Sequence, residues 1–284
     1  MTFDFKKAAG PFKGALGGVT WDGEGVLFSL LDEMEIKKYN PSDRSVSDFR
    51  LYTGRINGIA HDPSSKIVYA AQESGRRVIQ LLPDGSATVT ALRYQGAIHN
   101  HPTDVIFDSH ARIWFTDPYS AILAFGPQIF PLLSHASVMR IEKDERHAFV
   151  MSRVTFDTHA PRALLLSMDE KTLYVAEGTT EQPQRELRAY PILNDGRVGR
   201  PKVFYTFGSD DSGHHRGIEG MCLAQDGHII AVGGSHQSGP GPAIFVFSPD
   251  GYLVHSSPLP FDMPSRISFG GKNLDRLYIT GGDG

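Results

Sequence analysis

Apolar and polar positions along this chain fall into a unit that keeps returning: a short apolar run, a turn rich in Asp and Gly, then a β-branched and aromatic run closing on small residues. One copy is Ile56-Asn57-Gly58-Ile59-Ala60-His61-Asp62 before Ile67-Val68-Tyr69-Ala70-Ala71. The next is Thr103-Asp104-Val105-Ile106-Phe107-Asp108 before Ile113-Trp114-Phe115-Thr116. Later copies set Ala163-Leu164-Leu165-Leu166-Ser167 before Leu173-Tyr174-Val175-Ala176, Gly220-Met221-Cys222-Leu223 before Ile229-Ile230-Ala231-Val232, and Ile267-Ser268-Phe269 before Leu277-Tyr278-Ile279-Thr280. With a weaker first copy around Val19-Thr20-Trp21 and Val26-Leu27-Phe28, about six units recur roughly 40 to 60 residues apart, the period of propeller blades.

Within each unit the first run is apolar at most positions, as suits an inner strand covered on both faces, and the second is the better strand former. Turns at Pro83-Asp84-Gly85, Asn194-Asp195-Gly196 and Pro249-Asp250-Gly251 read as hairpins to a fourth strand. The pattern predicts an all-β fold, a six-bladed β-propeller over residues 1–284 as a single domain. The last unit has two clear strands before Gly284, so an N-terminal strand from the segment 3–12 is expected to close it. A propeller gathers one loop per blade at its channel mouth, so the residue opening each repeat is where chemistry is sought.

Lys+Arg 28 against Asp+Glu 32 leaves a formal net charge of -4, with no basic stripe, which argues against a nucleic-acid partner. No apolar run approaches the ~20 residues that span a bilayer, and the start shows no apolar stretch behind a basic head. A cytoplasmic protein without a membrane partner is expected. Cys222 is the single cysteine and lies in an apolar run, where a thiol behaves as a small hydrophobe.

At Arg55-Ile56-Asn57-Gly58, Pro102-Thr103-Asp104, Phe115-Thr116-Asp117-Pro118, Leu173-Tyr174-Val175-Ala176, Glu219-Gly220-Met221-Cys222 and Phe269-Gly270-Gly271, order and spacing resemble the gluconolactonase, regucalcin and luciferin-regenerating family of six-bladed propellers. The resemblance covers nearly the whole chain. It implies a divalent cation at the channel mouth, usually calcium or zinc, and hydrolysis of lactones or similar esters. Four blade-opening residues hold that cation in the family pattern, and this chain departs from it. The first Glu falls at Gly17, the Pro-Asn-Asp asparagine at Thr103 and the fourth-blade asparagine at Arg162. Glu219 keeps the last carboxylate, the position of the general base, and Asn57 is retained.

A calcium ion wants six to eight oxygen ligands, several anionic, so Gly17, Thr103, Arg162 and Glu219 make a poor calcium site. Two electrophiles stay open. Arg162 can stand in for the cation, pairing with Glu219 and polarising a substrate carbonyl. Alternatively, histidines clustered before blade starts, His99, His101 and His215, can join Glu219 around zinc or another transition metal. His101 also falls where some members carry a substrate-binding Arg. In the first hypothesis, a lactonase-like hydrolase, Glu219, Arg162 and His101 are the catalytic candidates. Asn57, Thr103, Tyr119, Phe125, His159 and Ser265 are the substrate-binding ones.

The segment 121–133 is too apolar for an idle loop and is expected to cover the mouth as a lid or to join two copies in a homodimer, the chain otherwise being a monomer. The loops 177–187 and 233–242 look like mobile rims. An apolar lid suits a lactone, ester or related carbonyl compound less polar than a sugar lactone. The rival, from a different class, is a propeller without catalysis that binds a small anion or a protein through channel and lid.

Overall fold

The structure is a computed structural model that describes residues 3–120, 131–178 and 185–282. Strands follow the repeat. Blade 1 consists of Leu16–Trp21, Val26–Leu30, Glu35–Tyr39 and Val46–Arg50, and blade 2 of Ile56–His61, Val68–Gln72, Arg77–Leu81 and Ala87–Val89. Blade 3 takes Val105–Phe107, Ile113–Asp117, Ser137–Lys143 and Phe149–Arg153, while blade 4 takes Pro161–Leu166, Thr172–Glu177, Arg185–Pro191 and Lys202–Phe207. Blade 5 comprises Ile218–Leu223, Ile229–Ser235, Ser238–Phe247 and Leu253–Pro258. Each is an antiparallel meander in sequence order.

The expectation of six blades is corrected to five four-stranded blades. A two-stranded sheet, Pro264–Gly270 with Arg276–Gly281, fills the remaining place among the described residues. The segment 3–12 supplies no strand either. Pro11 has no N–H to offer a ladder and Gly10 turns back at φ +96°, so extended pairing is interrupted there. Its apolar side chains are used differently: Phe3 and Phe5 pack on the cluster around Ile230, Ile244 and Ile267, and Phe12 lies 5.1 Å from the Phe28 ring. The ring closes through the first inner strand, where Thr280 Oγ1 donates to Gly17 O at 2.6 Å.

Local chemistry explains why every unit folds alike. Asp62, Asp108 and Asp226 each end an inner strand or its turn by accepting the N–H two residues on, at 2.8, 3.0 and 3.1 Å. Two residues before each following strand, Lys66, Ala111, Glu170, Gly227 and Leu274 adopt φ between +52° and +85°. One apolar cluster sits at each of the junctions between neighbouring sheets.

Trp114 anchors the junction of blades 3 and 4. It is fully buried against Val138, Leu164 and Tyr190, donates Nε1–H to Asp108 Oδ2 at 2.8 Å, and carries the Arg140 and Arg112 guanidiniums over its ring at 5.2 and 5.5 Å. Trp114→Ala is expected to lower stability by about 3–5 kcal/mol through lost burial and the cavity left behind. Urea unfolding measures it; a loss below about 1 kcal/mol would contradict this packing.

Candidate functional site at the channel mouth

Inner strands carry an extra residue at the same place in four units. Pairing skips from Ile56 to Gly58, Pro161 to Ala163, Ile218 to Gly220 and Pro264 to Arg266. The bulged residues are therefore Asn57, Arg162, Glu219 and Ser265, and a bulge re-aims the side chain of the residue it inserts. Thr103 precedes the inner strand of blade 3, and a shift between Leu16 and Val19 brackets Gly17 in blade 1. Glycine follows two of the bulges because neighbouring backbones come close: a Cβ on Gly58 would meet Asp104 Cα at 2.8 Å, and one on Gly220 would meet Arg266 Cα at 2.7 Å.

Glu219 and Arg162 meet between the neighbouring inner strands of blades 4 and 5. Glu219 Oε2 accepts Arg162 Nη2–H at 2.9 Å and Nε–H at 3.2 Å, while Oε1 accepts Arg216 Nε–H at 3.2 Å. Burial alone would raise the Glu219 pKa, but the charges of Arg162, Arg216 and Arg266 outweigh it and hold the carboxyl down to about 2. Glu219 in turn keeps Arg162 firmly protonated against the cost of its own burial.

Arg266 is the centre of the arrangement. Its Nη1 donates to the main-chain oxygens of Glu219 and, at 3.0 Å, Ser265; Nη2 donates to Asn57 Oδ1 at 2.9 Å and Thr103 O at 3.0 Å. Nε faces Asp104 Oδ1 at 3.6 Å. One guanidinium thus gathers oxygens from blades 2, 3 and 5 and from the two-stranded sheet. Burial pushes the Asp104 carboxyl up, opposed by Arg266 and by the N–H groups of Leu164 and Val105. Beyond this layer, toward the far end of the channel, lies a cavity of about 370 Å³ walled by Val19, Ile59, Val105, Leu164, Met221 and Ile267.

A divalent cation does not fit this mouth. Asn57 Oδ1 already serves Arg266, the Thr103 hydroxyl donates to His101 O at 2.9 Å, and both oxygens of Glu219 are committed to arginines; a bare dication there would face guanidiniums in a weakly screened setting. The histidine alternative is also left without a cluster. His99 is fully buried, with Nε2 3.2 Å from Ala91 O, Nδ1 3.5 Å from Asp117 and its ring edge-on to Phe115. His215 places Nε2 3.3 Å from Asp210, and His101 is buried with its N–H donated to Pro118 O. Among the described residues, three metal-ligating side chains converge within 4.8 Å only at Asp108, His110 and Glu170. There the Asp108 oxygens accept from His110, Arg112 and Trp114, and Glu170 accepts from Ser109, so turn geometry already uses them.

The remaining candidates lie around the rim. His159 is exposed beside Glu177, whose Oε1 accepts its N–H, and Tyr119 is half exposed with its hydroxyl donated to Leu133 O at 2.8 Å. Burial raises the Glu177 carboxyl. Phe125 and the segment 121–130 lie outside the described residues, as does 179–184 of the first rim loop; Leu133 is buried.

Three participants escape a reading of blade starts alone: Arg216, Arg266 and Glu73. The position after the bulge is Gly18, Gly58, Asp104, Ala163, Gly220 and Arg266 around the ring. Small residues there are interrupted only by one acid and one base, which is the signal that marks a pair across the channel. Glu73 is buried, accepts Ser120 Oγ–H at 3.0 Å through Oε1, lies 3.6 Å from Arg55 Nε, and acts electrostatically on both Arg162 and Arg266.

Comparison with known proteins agrees with this fold. The family description SMP-30/Gluconolactonase/LRE-like region matches residues 17–282. A gluconolactonase of Zymomonas mobilis is 25% identical over 252 residues, 82% of this chain and 67% of that protein. A 6-deoxy-6-sulfogluconolactonase of Pseudomonas putida is 26% identical over 187 residues, 65% of this chain and 55% of that protein. A solved gluconolactonase from Xanthomonas campestris superposes with a TM-score of 0.79 at 26% identity, covering 95% of this chain and 84% of that one. No helix among the described residues is long and apolar enough to cross a membrane.

Proposed function

The chain belongs to the SMP-30/Gluconolactonase/LRE-like family, and we propose that it is a lactonase-type hydrolase in which Arg162 takes the electrophile's part at the channel mouth. The observation that carries this is the Arg162–Glu219 pair on two bulges, with Arg162 Nη1 free of any hydrogen-bond partner among the described residues. Names of the relatives, gluconolactonase and sulfogluconolactonase, favour hydrolysis over the binding-only alternative.

In the proposed reaction a lactone carbonyl oxygen accepts a hydrogen bond from Arg162 Nη1. Water attacks the carbonyl carbon as it gives up a proton, and the carbonyl oxygen becomes an anion held by the guanidinium; as the C=O re-forms the ring C–O bond breaks and the ring oxygen takes up that proton, giving a hydroxy acid. Donors aimed at a developing oxyanion typically contribute a factor of about 10² to 10³. Glu219 is ionised throughout the useful pH range, but a carboxylate with a pKa near 2 is a weak proton acceptor at neutral pH. Its part is to hold Arg162 in place.

Glu73, which is not paired with Arg162, is the proposed acceptor for the proton of the attacking water. Its Oε2 is buried without a hydrogen-bond partner, and its charge is felt by Arg162. Asn57 and Thr103 position Arg266, while His159 and Tyr119 at the rim serve as substrate contacts. Glu73→Gln keeps the volume and removes the proton acceptor, so kcat for a neutral lactone, followed by acid release in a pH-stat, is expected to fall by about 10² to 10⁴. Unchanged kcat in that variant would remove Glu73 from the mechanism.

A further inference from the structure

Charge at the mouth is out of balance. Among the described residues, Arg55, Arg162, Arg185, Arg216 and Arg266 meet there around the carboxylates of Asp32, Glu73, Asp104 and Glu219, with Glu177 at the rim beside His159, in a chain whose formal net charge is -4. Such an excess inside a recess is screened far less than on an open surface.

The guanidiniums are not equivalent. Arg266 spends Nη1 and Nη2 on oxygens of the protein, and Arg185 Nη1 donates to His215 O. Arg216 differs. Its Nε shares Glu219 with Arg162, its Nη1 points at the Met263 thioether at 2.7 Å, and its Nη2 has no hydrogen-bond partner among the described residues. Thioether sulfur is a weak acceptor, so Arg216 holds donor capacity that the protein leaves largely unspent. The side chains of Arg162 and Arg216 are 27% and 19% exposed, and Glu219 bridges them. Two forks flanking one carboxylate, both open to the mouth, present planar N–H pairs of the kind that bind oxyanions bidentately.

We infer that the ligand of this mouth carries an oxyanion group, a carboxylate, sulfonate or phosphate, besides its reactive carbonyl, and that Arg216 is the residue that selects it. This deepens the hydrolase reading and rests on it for the carbonyl alone. A neutral ligand would leave the positive excess uncompensated, whereas an oxyanion seated on Arg216 cancels it and turns the carbonyl end toward Arg162.

The test has a kinetic and a binding arm. The kinetic arm compares D-glucono-1,5-lactone, which is neutral, with D-glucaro-1,4-lactone, which carries a carboxylate, in a pH-stat. The expected preference in kcat/KM for the charged lactone is about tenfold or more, shrinking as KCl rises, and Arg216→Gln should erase it mainly through KM. Arg216→Lys, which keeps charge but not the fork, should retain part of it. The binding arm titrates inorganic sulfate and D-glucarate into wild type and Arg216→Gln by calorimetry, with binding expected to weaken about tenfold in the variant. Equal preference for both lactones, or anion binding indifferent to Arg216→Gln, overturns the inference. Anion binding that depends on Arg216 in a protein that hydrolyses neither lactone supports the anion site while sinking the hydrolase reading.

Discussion

Replacing Arg162 by Gln is expected to lower kcat for lactone hydrolysis by about 10² to 10³ while the protein still folds, because one donor to the developing oxyanion is lost. The side chain is part exposed, so the stability cost of breaking its pair with Glu219 is smaller than for a fully buried ion pair. Arg162→Lys separates charge from geometry. An ammonium keeps the charge, yet it cannot donate to Glu219 through two nitrogens and to substrate through a third in one plane. It should recover only a small part of the lost rate. Wild-type kcat in Arg162→Gln, measured by pH-stat on a lactone that the native protein hydrolyses, would remove Arg162 from the chemistry.

Glu219→Gln should have the second large effect, on both rate and stability. The amide fills the same volume but cannot neutralise Arg162, Arg216 and Arg266, and Arg162 loses the acceptor that orients it. A carboxyl ordinarily near 4.5 that is held at about 2 contributes on the order of 3 kcal/mol at neutral pH. Because the folded-state pKa is depressed, that stability is fully present above the unfolded value and is lost as pH falls through about 2. The difference in Tm between wild type and Glu219→Gln should therefore be largest near pH 7 and shrink on acidification below about pH 4.5. Calorimetry at pH 7 and pH 3 reads it directly. A difference that does not change with pH would mean that Glu219 is not held ionised by these arginines.

Much of this architecture is written in side-chain periodicity. Apolar runs punctuated by Asp turns are enough to place the inner and second strands, since burial on both faces and left-handed turn residues recur at fixed offsets. The repeat also points to Asn57, Arg162, Glu219 and Ser265, which the structure finds on bulges. What periodicity does not carry is direction across the channel. Arg266 follows Ser265 by one residue yet reaches Asn57, Thr103 and Asp104 on other blades, a contact that depends on ring closure. Histidines before blade starts form a cluster in sequence only, because His99 turns edge-on to Phe115 and His215 turns to Asp210. Phe3, Phe5 and Phe12 looked like a closing strand, but apolar side chains can be buried without a ladder where Gly10-Pro11 interrupts it.

We propose that fixed guanidiniums do here what a cation does in a site built of oxygens. It is tested by assaying acid release from a lactone panel, D-glucono-1,5-lactone and D-glucaro-1,4-lactone included, with protein chelated exhaustively and its metal content measured by mass spectrometry. Hydrolysis is expected to persist undiminished with far less than one metal ion per chain. Activity that disappears on chelation and returns with one equivalent of zinc or calcium would contradict it.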